Sequence, residues 1–286
     1  MYPAQFEYHK AGTVKEAVDL LAKYKDEAKL LAGGHSLLPA MKLRLAQPKH
    51  LIDIGKVSGL AGVKEEGGTL VIGAMTTHYA IESSAVLKSK CPLLPEVAGH
   101  IGDPMVRNMG TLGGSLAHAD PAADWPAAVI ALGAELVAEG PKGKRTIKVD
   151  DFFKGLLTTA LAEDEILTEI RVPACGANVK CAYAKFPHPA SRFAVVGVAA
   201  VLTMDGGKIS KASIGITGAG TKATRAKGVE AAIAGKPADA ASIQAAASSA
   251  AEGVDVQADL QGSVEYKQHL LRVFAKRAME AAAAKK

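Results

Sequence analysis

The alternation of apolar and polar positions divides the chain into three stretches of different period. Val14, Val18 and Leu21 recur at helical spacing behind Thr13-Val14-Lys15-Glu16, a capping-box sequence, and predict a helix running to about Tyr24. Apolar runs at 28–32 and 51–54 read as buried strands, with a helical turn over 37–43 between them, so roughly the first 55 residues form a small α/β unit. From Gly59 onward the signal is strands with turn punctuation, and the segments on either side of Gly67-Gly68 predict a hairpin. Short helices are expected at 77–83 and 94–101. Asp120-Pro121 supplies a helix start with Asp at the cap and Pro at the first position, and Gly133 supplies the stop. Residues 135–139 and 145–149 then flank Gly140-Pro141-Lys142-Gly143 as another hairpin. A third stretch opens near Asn178, with strands at 180–186, 194–204 and 208–217, the last two joined by Asp205-Gly206-Gly207. Alanine-rich helices at 223–234, 238–252 and 264–284 close the chain, broken at Gly235-Lys236-Pro237 and at 253–262.

Composition narrows the function. The 286 residues suffice for two or three units with cores of their own, and 49% hydrophobic against 22% charged residues is the balance of a globular protein. A net charge of +5 is spread along the chain with no long basic run, and only 5% of residues are aromatic, which argues against nucleic acid as a partner. Cys91, Cys175 and Cys181 are too few and too irregularly spaced for a disulfide framework, a zinc site or an iron-sulfur cluster. The first residues lack a signal-peptide pattern, and no apolar run approaches the ~20 residues of a membrane span, so no membrane span and a cytoplasmic location are expected.

Two glycine pairs carry the candidate chemistry. Gly33-Gly34 follows a predicted strand, and Gly113-Gly114 lies in a second small-residue segment. Such pairs let consecutive backbone N–H groups face one concavity with no side chain in the way of a diphosphate. One reading is a dinucleotide whose pyrophosphate is gripped from both sides, with Ser36, Thr111 and Ser115 adding hydroxyls. The other is a pair of ordinary tight turns. Neither G-x-G-x-x-G nor G-x-x-x-x-G-K-[ST] occurs, which argues against a Rossmann dehydrogenase or a P-loop enzyme. His118, Asp120 and Asp124 are close in sequence, but capping and loop roles explain them without a metal, and no metal ligand is assigned. His35 reads as a loop histidine bonded to backbone in preference to a base or a flavin attachment point. Lys185 and Arg192 flank Pro187-His188-Pro189 and decide nothing alone. No acid, base or nucleophile constellation emerges, so no catalytic residue is assigned.

Taken together, Ala32-Gly33-Gly34-His35-Ser36-Leu37-Leu38-Pro39 and the segment from Thr111-Leu112-Gly113-Gly114-Ser115 through Asp124 resemble the two FAD motifs of the medium subunit of the molybdenum hydroxylase (xanthine dehydrogenase) family, within it the carbon monoxide dehydrogenase branch. The resemblance spans essentially the whole length, through Phe6-Glu7-Tyr8, Gly73-Ala74-Met75-Thr76-Thr77, 101–108 and 265–277. It implies an α+β fold: a two-subdomain FAD-binding domain of the PCMH/vanillyl-alcohol-oxidase type at 1–177, subdomains about 1–55 and 56–177. A C-terminal domain at 178–286 follows, with a three-stranded antiparallel sheet and helices. It implies non-covalent FAD held at the diphosphate by Ala32, Gly33, Gly34, His35, Ser36 and Leu37 and by Thr111, Gly113, Gly114 and Ser115. It implies Asp124 at a ribose or adenosine hydroxyl, Asp120 among the cofactor-binding residues, Ile101, Leu167 and Lys185 at the adenine or flavin ends, and Phe193 near the isoalloxazine. The molybdenum cofactor and [2Fe-2S] clusters are expected only on partners, a large molybdenum subunit and a small iron-sulfur subunit, in a dimer of heterotrimers. Electrons then pass from the clusters through FAD to an external acceptor. The hydroxybenzoyl-CoA reductase branch, with its cysteine-bearing inserted loop, does not match. A self-contained flavin oxidase or reductase and a non-catalytic nucleotide-binding scaffold are the alternatives.

Overall fold

A computed structural model describes residues 1–285. The amino-terminal unit is a three-stranded parallel sheet in the order β1 (Glu7–Lys10), β3 (His50–Asp53), β2 (Ala28–Leu31). Its helices are α1 (Val14–Tyr24) and α2 (Leu37–Lys42). The capping signal works as expected at one end: Thr13 Oγ1 accepts from the Glu16 N–H at 3.1 Å. The Glu16 carboxylate reaches one residue further back, to the Gly12 N–H at 2.8 Å. Ala17, Val18 and Leu21 of α1 bury against Ile52 and Ile54.

The second sheet is antiparallel, in the order β4 (Val63–Glu66), β5 (Thr69–Gly73), β10 (Ile166–Pro173), β6 (Glu135–Gly140), β7 (Gly143–Lys148). Between β5 and β6 runs a chain of short helices: α3 (His78–Ser83), α4 (Ala85–Lys90), α5 (Leu93–His100), α6 (Pro104–Met109), α7 (Leu112–His118) and α8 (Trp125–Leu132). Sequence reading predicts α3 and α5 and misses α4, α6 and α7. The last is the larger correction, because Gly113-Gly114 is not a turn after a strand but the first turn of a helix capped by Thr111. The helix expected from Asp120-Pro121 starts at Trp125 instead. Asp120 spends its carboxylate on the Ala122 N–H in a local turn (2.8 Å), and Pro126 takes the early helical position. Gly133 stops the helix as expected, at φ 63°. Every residue of α8 is buried, which places it as the joint between this sheet and the next. A two-stranded ribbon of β8 (Phe153–Gly155) and β9 (Thr158–Thr159) precedes β10.

The third sheet comprises β11 (Val179–Pro187), β12 (Ala194–Asp205) and β13 (Lys208–Thr217), extended by the short β14 (Thr224–Arg225) and by β15 (Lys236–Pro237) beside β13. One face packs under α9 (Lys227–Ile233), α10 (Ala240–Ala247) and α11 (Val264–Ala284), where Leu270, Leu271, Phe274, Ala275, Ala278, Met279 and Ala282 make the helical stripe. Tyr183 and Ala199 on its other face join the core of the second sheet. The chain therefore reads as α+β, and no described helix is long and apolar enough to cross a membrane.

Candidate functional site

A cleft of about 820 Å³ opens between the amino-terminal sheet and the second sheet, toward the upper end of the size range of small-ligand sites. Its floor begins at the carboxyl end of β2, the end of a parallel strand where α/β folds leave room for a ligand. There Gly34 takes φ +75°, which an L side chain rarely tolerates, and the chain turns into α2. The turn leaves the N–H groups of Gly33, Gly34, His35, Ser36 and Leu37 donating to no acceptor of the protein among the described residues. Five consecutive donors at the wall of a cleft form a ready anion cradle. The His35 ring turns back onto the Gly33 carbonyl at 2.9 Å, the backbone-bonded role expected of it.

The second glycine segment abuts the first. A Cβ at Gly33 would stand 2.2 Å from the Met109 carbonyl oxygen, and one at Gly114 would stand 3.4 Å from the Ala32 Cβ. It offers fewer free backbone donors than the first, the Thr111 N–H among them, so the two-sided reading would draw mainly on side chains there. Leu112 N–H is held by the Thr76 carbonyl (3.0 Å), Gly113 N–H by Ala74 (2.8 Å) and Gly114 N–H by Thr111 Oγ1 (3.1 Å). Its glycines serve packing: a Cβ at Gly113 would lie 2.4 Å from the Ala74 Cβ, and at Gly114 2.7 Å from the capping hydroxyl. What this segment presents to the cleft is backbone surface and the Ser115 side chain.

Of the residues singled out in the sequence, Ala32, Gly33, Gly34, His35, Ser36, Leu37, Ile101, Thr111, Gly113, Gly114, Ser115, Asp120, Asp124, Leu167 and Phe193 all line this cleft. Leu167 reaches it beside a β-bulge, where the pairing of β10 with β6 slips between Leu167 and Glu169. Phe193 stands at the mouth, 43% exposed, next to Arg192 at φ +60°. Lys185 is not at the wall. Its ammonium lies behind Asp124, 2% exposed, donating to Asp124 Oδ2 (2.8 Å) and to the His100 carbonyl (3.0 Å).

Sequence reading missed the rest of that cluster. Asp124 Oδ1 accepts from the Tyr183 hydroxyl at 2.5 Å, and the Tyr183 N–H donates to Glu96 Oε1 at 2.9 Å. Burial pushes the Asp124 carboxyl up, opposed by the Lys185 ammonium and the Tyr183 hydroxyl. Asp124 opens α8 without capping it, so its carboxylate is free to hold β11 in register with the helix. A second missed pair is Trp125 and His78: the indole N–H donates to His78 Nδ1 at 3.1 Å, and burial depresses the imidazole to about 4. The alternation of Tyr183 and Lys185 along β11, two residues apart on one strand face, was the available signal for the Asp124 cluster. The Leu157–Ala162 segment, which closes the far side of the cleft, carried none.

Comparison with known proteins places the whole chain. Residues 4–175 match the family described as FAD binding domain in molybdopterin dehydrogenase, and residues 181–282 match the CO dehydrogenase flavoprotein C-terminal domain. The carbon monoxide dehydrogenase medium chain of Hydrogenophaga pseudoflava is 45% identical over 282 residues, covering 99% of this chain and 98% of that one. The medium chain from Afipia carboxidovorans is 39% identical, covering 100% and 99%. The solved carbon monoxide dehydrogenase of H. pseudoflava lacking the Mo-pyranopterin moiety of its molybdenum cofactor superposes with a TM-score of 0.97 at 47% identity, over 99% of both chains.

Proposed function

The chain belongs to the FAD-binding medium-subunit family of the molybdenum hydroxylases, and from that premise we propose that it carries electrons from the [2Fe-2S] clusters of a small partner subunit, through FAD, to an external acceptor. A large molybdenum subunit would oxidise the substrate, and two copies of each of the three chains would assemble. The observation that carries the reading is the run of free N–H groups from Gly33 to Leu37 facing a cleft large enough for a dinucleotide. A bound FAD would supply the exchange between one-electron and two-electron carriers, and the redox chemistry belongs to the cofactor.

The residues' share is binding and orientation. The Gly33–Ser36 amides would donate to the diphosphate, which needs no cationic side chain where several backbone dipoles converge. Ser36 and Ser115, whose hydroxyls make no bond within the protein among the described residues, add donors from two sides. Asp124, fixed by Lys185 and Tyr183, lines the cleft and would meet a hydroxyl of the adenosine half. Leu167 and Ile101 would exclude water from the rings, while Leu157 and Phe193, 53% and 43% exposed, leave the mouth open to a second protein or a small acceptor. His35, engaged with its own loop, is placed for non-covalent binding.

The complex tests this. Assembled with its iron-sulfur and molybdenum partners, a Gly34→Asp chain puts a Cβ at positive φ and a negative charge in the cradle. Substrate should still reduce the clusters while turnover with the external acceptor falls by more than tenfold. Undiminished turnover in a flavin-free complex would overturn the relay. Turnover of an organic substrate by the chain alone would favour a self-contained flavoenzyme.

A further inference from the structure

A cluster outside the cleft gathers three side chains of metal-ligating chemistry. Glu7 and His9 lie two residues apart on β1 and so share a face of the sheet, and His50 is the residue paired with Glu7 across to β3. His9 Nε2 and His50 Nδ1 are 3.1 Å apart, Glu7 Oε2 is 3.4 Å from His50 Nδ1, and the same oxygen is 3.9 Å from His9 Nε2. A tetrahedral zinc ion with bonds of about 2.0–2.1 Å keeps its ligand atoms about 3.4 Å apart, the edge of that tetrahedron. The three atoms thus already stand close to the corners of one face, each offering a nitrogen or oxygen donor that the zinc class accepts.

The rings are held before any ion arrives. Tyr24, at the end of α1, stacks on His50 with centroids 3.7 Å apart and planes at 16°, and on His9 at 5.0 Å. The His9 and His50 side chains are 21% and 13% exposed, while Glu7 is 71% exposed, so the open corner faces solvent on the carboxylate side. None of the three residues lines the cleft, although Ala28, paired with His50, does, and the three stand at the opposite end of the parallel strands from the glycine turn.

We propose that Glu7, His9 and His50 bind one divalent transition-metal ion of the zinc class, with water at the fourth position, and that the ion fastens edge strand β1 to β3. Both imidazoles would then present lone pairs from His9 Nε2 and His50 Nδ1, with their protons on the other ring nitrogens. Three ligands from two strands cross-link the sheet edge where only four residue pairs hold it.

The test uses the untagged full-length chain, stripped with a chelator and titrated with zinc chloride. The wild type should take up one zinc per chain and melt at higher temperature with zinc than without. Affinity should fall at least tenfold in Glu7→Gln, and specific uptake should vanish in His50→Phe, which keeps a ring stacked on Tyr24. FAD uptake, read in the same samples, should stay at the wild-type level because the cleft is untouched. Should His50→Phe fail to fold, His9→Asn carries the comparison. With copper(II) as a spectroscopic probe, the electron paramagnetic resonance signal should show coupling to two imidazole nitrogens. Folded wild type that takes up no zinc, or variants that bind it as tightly, would overturn the proposal.

Discussion

At the scale of the residue, two buried polar groups decide what substitutions cost. His78 is held neutral in the core with Trp125 donating to it, and burial lowers its pKa from 6.5 to about 4. The unfolded chain therefore binds a proton that the folded chain refuses. Stability is full above about pH 6.5 and falls as pH drops toward 4, by about 3 kcal/mol in all. Urea midpoints measured between pH 7 and pH 4.5 should decline in the wild type and decline less in His78→Gln, whose amide oxygen can still accept from the indole. Equal slopes would remove His78 from the account. Trp125 is the sole tryptophan, so its fluorescence reports the same titration directly. The Asp124 cluster makes a second prediction. Asp124→Asn leaves the Lys185 ammonium buried without its counter-charge, which costs about 3–5 kcal/mol. Adding Lys185→Met should return a large part of that loss in a denaturation experiment, whereas additive losses would mean that the pair is not coupled.

Elements explain both what the sequence revealed and what it hid. Strands β11 to β13 and helix α11 were legible because they are long: apolar runs of nine to twelve residues punctuated by turn residues in the first case, a stripe over 21 residues in the second. The turn after β2 was legible because Gly33-Gly34 directly follows an apolar strand-like run, and Gly34 indeed takes a positive φ there. Helices α4, α6 and α7 were not: six or seven residues hardly show a period of 3.6, although α3, equally short, was predicted. In α7 glycine itself misled, because two glycines in a row read as a turn. Tertiary contact overrides that local preference: Ala74 presses so closely on Gly113 that only a hydrogen fits. Gly113→Ala is accordingly expected to destabilise the protein by about 1–3 kcal/mol, an overpacking cost. Ala74→Gly should not rescue it, because the Ala74 Cα and carbonyl oxygen still lie 2.8 Å from the new methyl. Rescue in a thermal melt would show that the side chain alone set the limit.

For the whole molecule, the arrangement is a cleft between two sheets, backed by a third sheet through the wholly buried α8. The Asp124 cluster ties that third sheet to the cleft wall, so the C-terminal region supports the site without supplying its floor. Purified from its source, the chain should come with an iron-sulfur subunit and a molybdenum subunit, two of each by native mass. A single polypeptide retaining full acceptor activity would contradict that. The binding claim beneath all of this is tested most directly by titrating the folded, flavin-free full chain with FAD and then precipitating it in acid. The account predicts one FAD per chain, an affinity at least tenfold weaker in Gly34→Ala, and all of the yellow colour in the supernatant. A folded chain that takes up no FAD, or a pellet that stays yellow, would contradict it.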